Sequence, residues 1–256
     1  MSKNEQSKPA IMRIGGRAYK NGVAFCGNTY RVWFSVDKNG THKIGYKKYT
    51  KVGQAINNLA TKLRKIPIMG SIFSLLNTPA LVVMLVGLVA YDIFAVNIGN
   101  APVHYVVSVV LLLAMVIVLV GTFYKAKNIW RYHGAEHKVI NAYYDNASLS
   151  VDEVKKCSRI AVNCGSNWAI FMVLLIPITV PVARYFTGYM SIGYIIVYIL
   201  SLELFRIDNG HKKPLLKWCY SVGSFIQKYL VTQEPTDEQL AMSIDTFKKL
   251  LELEEK

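Results

Sequence analysis

The residues of this chain best suited to chemistry lie in Tyr132-His133-Gly134-Ala135-Glu136-His137-Lys138, which contains the pattern His-x-x-Glu-His. On a helix, positions four apart share a face. His133 and His137 can therefore present two imidazoles to one metal ion, with Glu136 beside them to accept a proton from a metal-bound water. That is the arrangement of an inverted zinc-hydrolase motif. A competing reading pairs Glu136 with Lys138 or Arg131 and leaves both histidines as hydrogen-bonding groups.

The elements that position such a motif follow from composition. The 256 residues are 52% hydrophobic but only 18% charged, with a formal net charge of +14 and a mean hydropathy of +0.26. These values exclude a disordered tail, a collagen-like repeat and a disulfide mini-protein. Globular domains carry nearer a quarter charged residues, so apolar residues must be gathered in long runs. Four stretches are long enough to cross a hydrocarbon layer of roughly 30 Å: Pro79–Ile98, Val103–Tyr124, Trp168–Tyr185 and Met190–Ile207. The links Gly99–Pro102 and Phe186–Tyr189 hold no Lys or Arg and are short enough to make each pair an antiparallel hairpin. No secretory leader is read in the polar stretch Met1–Thr78.

Basic residues fix the expected orientation, since positive segments stay cytosolic. Residues 1–78 hold fourteen Lys and Arg against Glu5 and Asp37, and the stretch 125–167 holds seven against four acids. Both termini and the central loop are thus expected in the cytosol, with Cys26, Cys157, Cys164 and Cys219 on that reducing side as thiols or metal ligands. Tyr30–Val36 and His42–Lys48 read as strands joined through Asn39-Gly40. Gly53–Ile66 reads as an amphipathic helix for an anionic surface or an ordinary packed helix. A second interfacial helix carries Leu215, Trp218, Cys219, Val222, Phe225, Ile226, Tyr229 and Leu230 at helical spacing. Thr236 with Gln239 predicts a capping box before a last helix with Leu240, Ile244, Phe247 and Leu251 on one face.

The fold class expected is an α-helical integral membrane protein with four transmembrane helices in two hairpins, an N-terminal cytosolic β-hairpin and amphipathic interfacial helices. Its parts are a basic region 1–78 (hairpin 30–48, helix 53–66), a first transmembrane hairpin 79–124, a cytosolic loop 125–167 with the histidine motif, a second transmembrane hairpin 168–207, and interfacial and C-terminal cytosolic helices 208–256. The location expected is the bacterial cytoplasmic membrane, multi-pass. In that topology Glu203, near the cytosolic end of the fourth run, is the best-placed third metal ligand, unless it pairs with Arg206. Cys164 comes next and His211 after it; His104 and Asp92 lie toward the outer leaflet, out of reach.

The run Tyr132–Tyr143, then Val154–Arg159, Cys164-Gly165-Ser166 and Thr232–Leu240 resemble the YqhQ-like bacterial membrane proteins, a family of unknown function labelled as predicted metal-dependent enzymes. The resemblance runs from about Gly15 to Leu250 and implies functional roles for His133, Glu136, His137, Cys164 and Glu203. Two departures stand out. The family's N-terminal motif has Glu and Arg where this chain has Asn21 and Cys26, and its His-Pro before the Cys-Gly pair is Ala161-Val162 here.

Two functions of different class are expected. One is a membrane-embedded, metal-dependent hydrolase: His133 and His137 hold a divalent ion, zinc by donor type, Glu203 or Cys164 completes the set, Glu136 activates water, and the substrate is amphiphilic. The other is a non-catalytic membrane factor that binds a polyanion through Lys43, Lys47, Lys48, Lys62, Arg64 and Lys65. Its partners would be the lipid bilayer with its anionic lipids, the ribosome or the protein-export machinery, and a second copy of the chain.

Overall fold

The N-terminal region is richer in strands than its sequence suggests. In the computed structural model, which describes residues 14–36, 42–63, 65–76 and 127–255 together with helical residues 82, 86, 87, 89, 90 and 92, four strands form an antiparallel meander: β1 (Gly15–Tyr19), β2 (Gly22–Cys26), β3 (Tyr30–Val36) and β4 (His42–Lys48). The expected hairpin is β3 and β4, with Phe34 opposite Ile44; its Asn39-Gly40 turn lies outside the described residues. Helices follow in the order α1 (Lys51–Leu63), α2 (Met69–Leu76), α3 (Lys127–Tyr144), α4 (Val151–Lys156), α5 (Gly165–Thr187), α6 (Met190–Phe205), α7 (Pro214–Ile226) and α8 (Asp237–Glu254). A 3-10 turn at Gly210–Lys212 precedes α7, and a π turn at Gln227–Val231 follows it.

The chain divides into two units. The first comprises Met1–Asn57, Ala126–Ala161 and Gln227–Lys256. Alternation on the strands sends Val23, Phe25, Val32 and Phe34 to one face, where they meet Tyr132, Ala135, Val139 and Ala142 of α3 and Leu240, Ile244, Phe247 and Leu250 of α8. Those helical positions recur every three or four residues, so each helix turns one apolar stripe to the sheet. Phe25 and Phe247 meet edge to face at 5.1 Å, and Phe34 and Tyr132 at 5.9 Å. Each such aromatic contributes roughly 1.5–3 kcal/mol by burial. The last helix begins as its sequence indicates: the Thr236 hydroxyl accepts from Gln239 N–H, and the Gln239 side chain accepts from Thr236 N–H. Its far end is tied down by Glu254, whose carboxylate accepts the backbone N–H groups of Thr29 and Tyr30 at 2.8 and 2.7 Å.

The second unit comprises Asn58–Lys125 and Val162–Ile226. Helices α5 and α6 form an antiparallel pair around the Gly188 turn, where φ is +78°. Gly193 lets α6 close on the backbone of Val180, and Phe171 packs with Leu216, Cys219 and Tyr220 of α7. The buried face of α7 is therefore Leu216, Cys219, Tyr220 and Gly223, while Leu215, Trp218, Val222 and Phe225 of the sequence-derived stripe are exposed.

This is an α+β fold with a four-stranded sheet, not the four-span helical membrane protein with a single β-hairpin expected from the sequence. Among the described residues one helix is long and apolar enough to cross a membrane, α5, which extends the run read as Trp168–Tyr185 at both ends. The run Met190–Ile207 yields α6, which has 16 residues and spans about 24 Å at 1.5 Å per residue, short of a bilayer core. The expected spans Pro79–Ile98 and Val103–Tyr124 lie outside the described residues, apart from isolated helical positions in the first. The core between the sheet, α3 and α8 draws on apolar residues outside all four runs.

Candidate functional site

Helix α3 carries the histidine motif in the first unit. Its stripe of Tyr132, Ala135, Val139 and Ala142 holds it on the core, which fixes the rotation of the helix and directs its other buried side chains. His133 and His137 fall one turn apart, with ring centroids 4.3 Å apart and planes inclined by 63°.

Each ring is held by a backbone carbonyl. His133 Nδ1–H donates to Val231 O at 2.8 Å, and His137 Nδ1–H donates to Arg159 O at 2.7 Å. A carbonyl only accepts, so both neutral rings carry their proton on Nδ1, and Nε2 bears the lone pair. This is how metal-binding histidines are prepared, because the outer hydrogen bond sets tautomer and orientation together.

The two carbonyls belong to segments strapped along α3. Lys138 Nζ donates to Lys155 O at 2.7 Å and pairs with Glu234 at 3.1 Å. Asn141 Nδ2 donates to Ser158 O at 2.7 Å and Ile160 O at 2.9 Å. On the other side, Gln233 N–H donates to Trp130 O at 2.9 Å, and the Gln233 carbonyl lies where a side chain on Gly134 would stand. Only glycine at 134 permits that approach.

Glu136 is buried beside the pair, its side chain against Gly16 of β1, where a Cβ would strike the carboxyl group. Burial pushes its pKa up to about 7, with His133 pulling the other way. Among the described residues no ion pair is formed with it; Lys138 is engaged by Glu234 instead. A carboxyl that changes protonation near neutrality, one turn from His133 and next in sequence to His137, can act as general base and then as general acid.

The other sequence-derived ligands lie in the second unit. Glu203 is hydrogen-bonded to the Ser71 hydroxyl and ion-paired with Arg206 at 3.1 Å, while Arg206 also reaches Ser71 Oγ at 2.8 Å and Gly70 O at 3.2 Å. Cys164 is buried as the residue that precedes α5. Asp92 is buried and accepts the backbone N–H of Ser191 at the start of α6. Of the polyanion set, Lys43, Lys47 and Lys48 are exposed on β4; Lys62 and Lys65 are also exposed, and Arg64 lies outside the described residues.

Of the positions that depart from the family pattern, Cys26 ends β2 opposite Gly15, next to the glycine that Glu136 rests on, while Asn21 and Ala161 fall away from Glu136 or act through backbone. Asn21 sits in the turn after β1, at the end of the strand opposite to Gly16. At Ala161 both backbone groups are bonded by the Gln227 side chain. Sequence reasoning missed Gly16, Asn141, Arg159 and Gln227. Asn141 had a visible signal, since it continues the spacing of four from His133 and His137; the carbonyl partners had none, because every residue has a carbonyl.

A model of the family described as protein of unknown function, DUF1385, matches residues 35–253. The chain is 32% identical over 168 residues to a Bacillus subtilis (strain 168) protein named uncharacterized protein YqhQ, an overlap of 63% of this chain and 52% of that one, so it spans about half the length of this relative. No solved structure matches it. With more than half of its length under the family model, including the histidine helix and both segments strapped to it, this chain belongs to the DUF1385 family.

Proposed function

We propose that this protein is a metal-dependent hydrolase attached to a membrane, with His133 and His137 holding a divalent ion through Nε2 and Glu136 acting as general base. The observation that carries the reading is the matched pair of Nδ1–H bonds to Val231 O and Arg159 O, which readies both Nε2 lone pairs on one helix face. Two imidazoles suit zinc, which would polarise a water and the bond to be broken. Glu136 takes the proton that the water gives up and returns it to the leaving group, a role that its pKa of about 7 suits.

For the third ligand, Cys164 is favoured over Glu203. It follows Ala161 by three residues, about 10 Å of extended chain, and Ala161 is tied to Gln227 within the same unit as the histidines. The Glu203 carboxylate is already engaged by Arg206 and Ser71. The membrane attachment rests on α5, which turns Val173, Ile178 and Val182 outward and has only 17% of the residues in its most apolar 18-residue stretch buried, unlike the core helix of a water-soluble domain. The location proposed is the bacterial cytoplasmic membrane with the histidine-bearing unit on its positive, cytosolic side, and the substrate is amphiphilic, entering at headgroup depth.

The test is metal content by mass spectrometry on detergent-purified protein and on a His133→Ala/His137→Ala variant after mild chelation. About one ion per chain in the native protein, lost in the variant, supports the site. Equal metal in both, or none in either while both remain folded, overturns it.

A second reading, binding of a polyanion such as anionic lipid or ribosomal RNA, is favoured by one feature: β4 exposes Lys43, Lys47 and Lys48 on an edge strand. Replacing those three by Gln would then weaken association with vesicles containing phosphatidylglycerol or with ribosomes, most visibly at low salt. Unchanged, salt-insensitive association of the variant would remove the reading.

A further inference from the structure

The histidine anchors stand on two segments distant in sequence, 159–161 and 227–234, and these are fastened to each other at two points. At the first, the buried side chain of Gln227 accepts Ala161 N–H at 2.8 Å and donates to Ala161 O at 3.1 Å, so one amide grips both polar groups of one residue. At the second, Arg159 donates to Lys228 O at 3.0 Å and to Glu234 at 2.8 Å. The Gln227 carbonyl in turn accepts from Thr232 N–H and the Thr232 hydroxyl at 3.0 and 2.6 Å, closing the π turn that ends at Val231.

We infer that Gln227 and Arg159 are positioning residues that buckle these two segments together so that the carbonyls of Val231 and Arg159 hold both histidine rings in one tautomer. This rests on the proposed metal site. The reason goes beyond packing. Each buckled segment supplies one carbonyl to one imidazole, and Arg159 serves twice, its carbonyl to His137 and its guanidinium to the segment that holds His133. A π turn is an uncommon geometry, often found at functional sites, and here it closes on the residue whose carbonyl takes His133. If the buckle loosens, each ring can flip or exchange its proton to Nε2, and the pair ceases to be a ready chelate.

The experiment uses the full chain in detergent as Gln227→Met, which keeps the buried volume but neither bond, and Arg159→Gln, whose partly exposed position spares the core. Two readouts are taken: long-range proton–nitrogen correlation spectra of the histidine rings in metal-free protein, and cobalt(II) affinity by chelator competition. The native rings of His133 and His137 should both show the Nδ1–H form. Each variant should show mixed tautomers at one or both rings and roughly 10- to 100-fold weaker cobalt binding, the usual scale for lost outer-shell partners. Native tautomers in both variants would overturn the inference, and cobalt affinity within twofold of native would do the same if the native protein binds cobalt. If it binds none, the metal reading falls by itself, and the ring spectra alone decide the buckle: mixed tautomers support it and native ones overturn it.

Discussion

A carboxyl buried against the glycine of a neighbouring strand must give up much of its acidity, and Glu136 does so even with His133 pulling the other way. The consequence for stability has a definite sign. Its pKa rises from 4.5 to about 7 on folding, so between those values the folded state binds more protons than the unfolded one. Stability therefore falls as pH rises through that window, and by pH 8 the ionised buried carboxylate costs about 3 kcal/mol. Metal-free Glu136→Gln should accordingly be more stable than native protein by up to about 3 kcal/mol at pH 8 and nearly equal to it at pH 4, as read by denaturant unfolding. A difference that does not change with pH would mean that Glu136 is not held as described. The same substitution should abolish any hydrolytic turnover while leaving metal content intact, since the Gln side chain cannot accept the proton.

Among the elements, α3 is the one that everything else positions, and its legibility was uneven. The spacing of His133, Glu136 and His137 was readable as a helix face, and so were the capping box at Thr236 and the strands β3 and β4. Strands β1 and β2 were not, because Gly15-Gly16 and Lys20-Asn21-Gly22 dilute the alternation that marks a strand. Yet β1 supplies the glycine on which Glu136 rests. In sequence the anchoring segments carry only a family resemblance; their role lies in the backbone carbonyls of Val231 and Arg159, which accept from the rings. Gly134 gives this assembly its tightest joint. A methyl group there meets the Gln233 backbone, which has no flexible end to move, so Gly134→Ala should destabilise the first unit by roughly 1–3 kcal/mol through overpacking. It should also disturb the His133 anchor two residues from Gln233. Denaturant midpoints and histidine ring spectra, compared with those of Ala135→Gly on the same helix, check this: general helix weakening in the comparison variant should leave the His133 tautomer unchanged.

For the whole molecule, composition pointed to helices in a membrane, whereas the described residues build an α+β unit and a helical unit. The expectation failed because a hydropathy count does not say what an apolar residue faces. Within the runs themselves, Phe171, Val180 and Val197 are buried in the helical unit, whereas Val173 and Ile178 face outward on α5. The apolar runs were real, but only α5 among the described residues combines the length and exposure that attachment to a bilayer requires. Glu203 shows the same limit on a smaller scale: its depth in an apolar run suggested a ligand, and its neighbours Arg206 and Ser71 account for it as a paired carboxylate. The first unit holds the histidine helix on its own core. The most direct test of the account is X-ray absorption on zinc-loaded native protein and on the His133→Ala/His137→Ala variant. The account predicts two imidazole nitrogens at about 2.0–2.1 Å from zinc, with a sulfur at about 2.3 Å if Cys164 completes the set, and no such signal in the variant. Zinc surrounded by oxygen alone, or an imidazole signal that persists without both histidines, would contradict it.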